Sequence, residues 1–331
     1  MIRLDFLKYV SFKKVYNLFR IYLGYYISLI IKKSVVWGYP YSITTEPTNQ
    51  CNLNCLECPT GNKFTTVPKG KMNFNTYKKI IGDVKNYIIY QMLYFQGEPF
   101  LHPDLFKMIK YSDDNNIYTS ISTNGHFLTQ ENSNKIVKSG LKSIIISVDG
   151  TNQDSYEKYR VGGKLNVVLK GIKTLTKVKK ELNSNYPKVI IQFLVFSHNE
   201  NEISEIVTLS KELSVNKLEI KSAQIEQAKN YDLIPKIEKY SRYKKVDSKY
   251  YIKNKLRNKC FRLWSTLVFT WSGFVIPCCF DKNNNYKMGN IINSDTLKIW
   301  DSEDFNNFRN ALLKNRKGIE ICCNCTEGLF K

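Results

Sequence analysis

Six apolar runs rich in β-branched side chains, at residues 41–45, 90–95, 118–122, 143–148, 189–196 and 217–220, alternate with amphipathic stretches at 75–85, 103–113, 130–139, 167–182 and 202–213. A chain that repeats strand then helix covers a parallel sheet with its own helices, through right-handed crossovers. The pattern predicts an α/β fold. Six units fall short of a closed eight-fold barrel but suffice for a partial (β/α)6, TIM-like one, whose active-site loops lie at the carboxyl ends of the strands.

The flanks differ in character. Residues 1–38 carry seven basic side chains and one acid, Asp5, with Leu4, Leu7, Val10, Phe12, Val15, Leu18 and Phe19 at near-helical spacing. Such a basic amphipathic segment either packs on the following domain, the preferred reading, or meets a membrane surface or partner. Its uncharged run, 21–31, is shorter than the roughly 17–25 residues of a membrane span and lacks a small-residue cleavage site. The uncharged run 263–280 contains Ser272-Gly273 and Pro277 and reads as a hairpin. Residues 236–259 hold ten Lys or Arg, two acids and four tyrosines, which suits a nucleic-acid patch or, preferably, a solvated linker. The net charge of +21 is 50 basic side chains against 29 acidic ones, and lysines outnumber arginines 42 to 8, a skew that argues against bidentate phosphate reading. The expected partition is 1–40 amphipathic helices, 41–230 barrel, 231–259 basic linker and 260–331 a small metal-stapled domain.

Nine cysteines fall in three groups, 51, 55 and 58, then 260, 278 and 279, then 322, 323 and 325. The odd total and close spacing favour metal clusters over a disulfide framework, and a reducing, cytoplasmic setting. Cys51-Asn-Leu-Asn-Cys55-Leu-Glu-Cys58 follows the first strand directly. Three protein ligands plus water can hold a catalytic zinc, although structural zinc is closed by four. A 4Fe-4S cluster on three thiolates keeps one iron open for a chelating small molecule.

Cys-x3-Cys-x2-Cys resembles the signature of radical S-adenosylmethionine (SAM) enzymes, and the partial barrel agrees with it. The resemblance implies a cluster on Cys51, Cys55 and Cys58 whose open iron chelates the amino and carboxylate groups of SAM. One electron then cleaves the sulfonium, and a 5′-deoxyadenosyl radical abstracts hydrogen from substrate. Gln96-Gly97-Glu98-Pro99 is similar to the family's Gly-Gly-Glu-Pro motif, which implies Gly97, Glu98 and Pro99 at the SAM ammonium, with Gln96 replacing the first glycine. Ser122-Thr123-Asn124-Gly125 and Ser147-Val148-Asp149-Gly150 end the next two strands, where ligands bind. Asn124 is a candidate by that position. The resemblance places Ser147 at the ribose or methionine end of SAM and Arg160 at its carboxylate. Gln192, Phe193, Leu194 and Val195 read as core more than as adenine contacts, and His102 as a helix start. His126 and His198 carry no supporting pattern. The absence of Ser-His-Asp and His-Glu-x-x-His arrangements removes the commoner hydrolase readings.

Cys260-x12-Gly273-x4-Cys278, followed by Cys322-x2-Cys325, resembles the SPASM or twitch extension. It implies one auxiliary 4Fe-4S cluster on Cys260, Cys278, Cys322 and Cys325, with Cys279 and Cys323 spare or alternative. A four-cysteine zinc knuckle is the competing reading. With no free iron, the auxiliary cluster is implied to accept the electron left by a substrate radical, giving a two-electron oxidation; the proton acceptor is not identified. The expected substrate is a carbohydrate-like or anchored small molecule, because the 40 residues before the barrel are fewer than the roughly 80 of a peptide-recognition domain. A lipid-linked or anionic substrate is a further expectation from the basic amphipathic start. Ribosomal peptide modification is the second reading, and flavodoxin or ferredoxin the implied reductant. A zinc-stapled nucleic-acid-binding protein is the alternative of another class; nucleic acid is not the expected partner.

Overall fold

The computed structural model describes residues 8–247 and 249–327; Leu4, Leu7 and residues 328–331 lie outside the described residues. All six expected runs form strands: β1 (Ser42–Thr45), β2 (Tyr90–Met92), β3 (Tyr118–Thr123), β4 (Ser143–Ser147), β5 (Lys188–Val195) and β6 (Lys217–Ser222). Each pairs in parallel with the next, Ile43 opposite Gln91, Gln91 opposite Thr119, Ile144 opposite Val189 and Phe193 opposite Ile220. Helix α1 (Phe12–Ile31) precedes the sheet, and α2 (Phe74–Val84), α3 (Leu105–Asp114), α4 (Gln130–Lys138), α5 (Gln153–Tyr159), α6 (Leu165–Glu181) and α7 (Ile203–Glu212) fill the crossovers. Buried Ile80, Ile81, Met108, Ile136, Ile172 and Leu175 on these helices meet Ile43, Ile121, Ile144 and Ile191 on the strands in one core. Thr129 caps α4 and Asn152 caps α5, each accepting a backbone N–H of the first turn.

The expected linker is folded. Strands β7 (Tyr243–Val246) and β8 (Lys249–Ile252) make an antiparallel hairpin within 231–259. Two polar anchors fix this segment despite its charge: the Tyr243 hydroxyl bonds Ile225 N and O, and Asn254 Nδ2 donates to Cys325 O at 2.7 Å.

Helix α8 (Arg262–Ser265) leads into the hairpin expected around 263–280, β9 (Thr266–Phe269) and β10 (Phe274–Ile276). Gly273 closes its turn at φ +83°, a conformation glycine adopts without strain. The hairpin joins the barrel sheet. Strand β9 pairs in parallel with β1, and with β11 (Gly289–Asn290) the order is β11-β10-β9-β1-β2-β3-β4-β5-β6. All four residues of β1 are buried, so an open β1 edge would strand their backbone groups. Helices α9 (Thr296–Trp300) and α10 (Glu303–Asn315) follow, then two 3-10 turns, Arg316–Gly318 and Glu320–Cys322, and the Arg309 guanidinium lies 4.2 Å from the Trp300 ring centroid and 4.0 Å from that of Phe305.

Helix α1 packs under the amino-terminal ends of the strands. Asn17 exchanges two hydrogen bonds with the Tyr39 backbone, and Lys14 Nζ donates to Asn116 O, just ahead of β3. Its following loop is held by Trp264 and Trp300, whose indoles donate to Val35 O and Gly38 O. Among the described residues no helix is long and apolar enough to cross a membrane.

Candidate active site

The loop that leaves β1 carries Cys51, Cys55 and Cys58 above the carboxyl edge of the sheet. It is held from several sides. Asn54 N donates to Val161 O and Leu56 N to Tyr159 O, which laces the loop to the turn after α5, while Cys58 N donates to Cys55 O at 3.2 Å. Glu57, buried between two of the cysteines, accepts from Glu226 N at 2.7 Å and from the Asn230 amide. An added Cβ on Gly61 would stand 2.7 Å from Cys55 N, so glycine is required there for close approach. Around the loop lie Leu53, Tyr159, Phe196, Ala223, Ile225 and Leu194, an apolar surround that limits water.

That surround sets the electrostatics. Burial, with Glu98 and the other two thiols nearby, pushes the Cys51 thiol up to about 11. Burial also raises Cys55, opposed by the Arg160 guanidinium. Coordination to iron would offset this cost, since metal-bound thiols are deprotonated. Among the described residues no group of three His, Cys, Asp or Glu side chains stands close enough to hold one metal ion. Three thiols from one loop leave one corner of a 4Fe-4S cluster open, whereas structural zinc is closed by four protein ligands.

The other expected residues gather at the same edge. Gly97, at φ +74°, runs so close to the cysteine loop that a Cβ would lie 2.5 Å from Thr48 O and 2.7 Å from Gln50 O. Glu98 N donates to Gln50 O, and its buried carboxylate accepts from Thr123 Oγ1 at 2.9 Å, Asn124 N at 2.8 Å and Phe100 N at 3.2 Å. Pro99 opens the short 3-10 turn capped by Glu98. Desolvation pushes the Glu98 carboxyl up to about 7 despite these donors. Asn124 Nδ2 donates to Asn52 Oδ1 at 2.8 Å and lies 3.9 Å from Cys51 Sγ. Ser147 closes β4 and is buried. Arg160 is held by Asp149, Nε to Oδ2 at 2.6 Å, with one terminal nitrogen 3.7 Å from Cys55 Sγ; Asp149 is oriented by Leu194 N. A buried carboxylate thus fixes the guanidinium beside the cysteine loop. On β5 the four residues split by the period of a strand: Phe193 and Val195 are buried, while Gln192 and Leu194 are half-buried on the other face. His102 bonds Met72 O and accepts from Asp104 N, a structural role before α3, whereas His126 accepts from Lys164 N and bonds Asn124. His198 stacks on Phe196.

A second constellation lies in the carboxyl-terminal part. Cys260, Cys278, Cys322 and Cys325 line one enclosed cavity together with Arg262 and Arg316. Burial pushes Cys260 up to about 12 and Cys322 up to about 11. Arg316 donates to Cys325 Sγ at 3.3 Å. Four thiols lining one cavity beside a buried cation fit the corners of a cluster held entirely by protein. Cys279 does not line the cavity; the Cys278 hydrogen bond and the Arg262 and Lys282 cations favour its thiolate. Cys323 is exposed and donates to Lys317 O.

Hydrogen bonds join the two constellations. Gln96, in place of the family's glycine, donates from Nε2 to Lys282 O at 2.8 Å, and Asn324, inside Cys322-x2-Cys325, donates to Ile225 O. Between them opens a polar cavity of about 140 Å³, lined by Pro59, Glu226, Lys282, Asn283, Asn285, Glu320 and Asn324 among others. Arg262, Arg316, Asp149, Glu57 and the Gln96–Lys282 link were not singled out from sequence. Arginine is scarce in this chain, eight in all, and two of the eight, Arg262 and Arg316, each lie near a cysteine group; nothing in the sequence marks the others.

Comparison with known proteins gives two family matches: the radical SAM superfamily over residues 45–209, and SPASM, an iron-sulfur cluster-binding domain, over 260–326. An AdoMet-dependent heme synthase of Methanosarcina barkeri is 31% identical over 53% of this chain and 48% of its own length. A tungsten-containing aldehyde ferredoxin oxidoreductase cofactor-modifying protein of Pyrococcus furiosus is 26% identical over 80% of this chain and 82% of its own. With the heme synthase, and with a PqqA peptide cyclase from Bradyrhizobium diazoefficiens that is 25% identical over 57% of this chain, the match spans about half of the relative's length. Among solved structures, Streptococcus suis SuiB bound to S-adenosylmethionine has a TM-score of 0.65 at 16% identity, covering 88% of this chain and 73% of that one. BtrN in complex with AdoMet and 2-DOIA has a TM-score of 0.56 at 20% identity, covering 86% and 92%. These likenesses carry the fold, and both family matches leave the zinc-stapled nucleic-acid binder without support.

Proposed function

We propose, for a chain that belongs to the radical SAM superfamily and carries a SPASM iron-sulfur domain, that Cys51, Cys55 and Cys58 hold the SAM-binding 4Fe-4S cluster and Cys260, Cys278, Cys322 and Cys325 an auxiliary one. When bound, the first cluster supplies the electron that cleaves SAM to a hydrogen-abstracting 5′-deoxyadenosyl radical, and the second takes up an electron from the substrate side. The observation that carries the assignment is the convergence of Gly97, Glu98, Asn124 and Arg160 on the cysteine loop. Gly97 keeps the backbone open beside the cysteines, Glu98 pins the end of β3 and sets a buried carboxyl that a nearby ligand ammonium would hold ionised, and Arg160, oriented by Asp149, offers positive charge towards a carboxylate. Ser147, Gln192 and Leu194 line the sheet edge towards the nucleoside. The apolar surround of Leu53, Tyr159 and Phe196 excludes water from a reactive radical.

The substrate in this reading is a hydroxyl-rich small molecule or the end of an anchored one, oxidised by two electrons. Donors and acceptors of both signs in the cavity between the two constellations, Glu226, Lys282, Asn283 and Glu320, support it. Peptide modification is the second reading, favoured by the likeness to the PqqA peptide cyclase. Flavodoxin or ferredoxin is the proposed donor, in a cytoplasmic setting with peripheral membrane contact through residues 1–38. Anaerobic incubation of the iron-loaded protein with SAM and dithionite tests the assignment. The wild type is expected to release 5′-deoxyadenosine, and Cys55→Ala to release none while keeping its fold. Undiminished release by the variant, or none from iron-replete wild type, would overturn it.

A further inference from the structure

We infer that the protein docks on an anionic membrane surface through the outward face of α1 together with the basic 253–259 segment, an inference that deepens the membrane contact proposed above and does not rest on the cluster chemistry. Helix α1 has two apolar faces. One, with Ile21, Gly24 and Tyr25, is buried against the sheet and α8, and it is fixed by hydrogen bonds of Asn17 and Ser28. The opposite face carries Phe12, Tyr16, Phe19, Leu23, Tyr26 and Ile30, at successive spacings of 4, 3, 4, 3 and 4 residues, and all six are exposed. Phe12 is 88% exposed, Phe19 61% and Ile30 78%. A helix already fixed on its polar contacts gains nothing for folding from six large apolar side chains in water. Contiguous patches of this kind mark contact surfaces, and aromatic side chains suit the bilayer interface.

Charge identifies the occupant. Residues 8–38 contain no Asp or Glu, and Lys13, Arg20, Lys32 and Lys33 border the apolar face or follow its end. The fold then brings up the second basic segment: Lys253, Lys255, Arg257 and Lys259 line one cavity of about 410 Å³ with Tyr25 of α1, with Phe261, which stacks on Tyr22 at 4.7 Å, and with Cys260, Arg316 and a single acid, Glu327, which is paired with Arg262. Residues 253–262 also contain no acid. An apolar aromatic strip flanked by cations on both sides complements acyl chains under anionic headgroups. A second copy fits worse, because two chains of net charge +21 would bring the same lysines and arginines face to face. Because α1 lies under the amino-terminal ends of the strands, docking turns the cysteine loop, at their carboxyl ends, away from the bilayer. Substrate then arrives from the water side rather than from the membrane interior.

Flotation of the full chain with vesicles of phosphatidylcholine alone, or with about 30% phosphatidylglycerol, tests this. The wild type is expected to float with the anionic vesicles only, and to weaken at least tenfold between about 0.1 and about 0.5 M KCl. Phe12→Glu with Phe19→Glu, and separately Lys255→Ala with Arg257→Ala and Lys259→Ala, should each lower binding tenfold or more at unchanged melting temperature. Absence of flotation, equal flotation with neutral vesicles, or variants that bind like wild type would overturn the inference. So would an α1 variant that alters only the mass in solution, which would make this face a contact between copies, or a 253–259 variant that alters only nucleic-acid retention.

Discussion

Gly97 and Gln96 are adjacent and do opposite things. Gly97, with no Cβ, lets the backbone pass close against the cysteine loop at a positive φ, whereas Gln96 reaches out to the carbonyl of Lys282. Gly97→Ala should therefore cost about 2–4 kcal/mol in denaturant unfolding and lower the iron bound after reconstitution, because the obstructing atoms are backbone. A variant as stable and iron-rich as wild type would contradict the close approach. At this scale the sequence was readable where motif spacing marks a residue. Gly97, Glu98 and the cysteines fall in that class. Glu57, Asp149 and Arg316 do not, because the purpose of each appears only when the fold supplies its partner, Glu226 N, Arg160 and Cys325 respectively.

Among the elements, the docking of β9 on β1 matters most, since it places the carboxyl-terminal hairpin beside the cysteine loop. Glu46 sits at this junction. It is buried, accepts from Trp271 N at 3.0 Å, and has a second oxygen without a partner. Burial pushes its carboxyl from 4.5 up to about 7. A carboxyl raised in the folded state lends stability that is complete below its unfolded value, near 4.5, and is lost as pH rises through about 7. Glu46→Gln removes that loss, so thermal unfolding should find the variant more stable by roughly 1–3 kcal/mol at pH 8 and no more stable at pH 4. A shift of the same size at both values would contradict the buried, raised carboxyl. Alternation of apolar runs made β1 to β6 and their long helices legible. Helix α5 was missed because seven residues show no period, and β7–β8 because lysine-rich strands carry no apolar alternation; their register comes from Tyr243 and Asn254.

In the molecule as a whole, the loops that carry the two thiol constellations both border a polar cavity, through Pro59 and through Asn324, and are tied by Gln96 to Lys282 and Asn324 to Ile225. Their separation of roles predicts that Cys278→Ala keeps SAM cleavage with dithionite but loses substrate turnover, measured as 5′-deoxyadenosine formed without product. Normal turnover would remove the electron-accepting role. The central claim, that this chain holds two clusters on two separate cysteine sets, is tested most directly by iron and sulfide analysis after anaerobic purification. The wild type should carry about eight of each. Replacing Cys51, Cys55 and Cys58 with alanine should leave about four, and replacing Cys260, Cys278, Cys322 and Cys325 should leave the other four. Zinc in place of iron, or a complement that either replacement leaves unchanged, would contradict it.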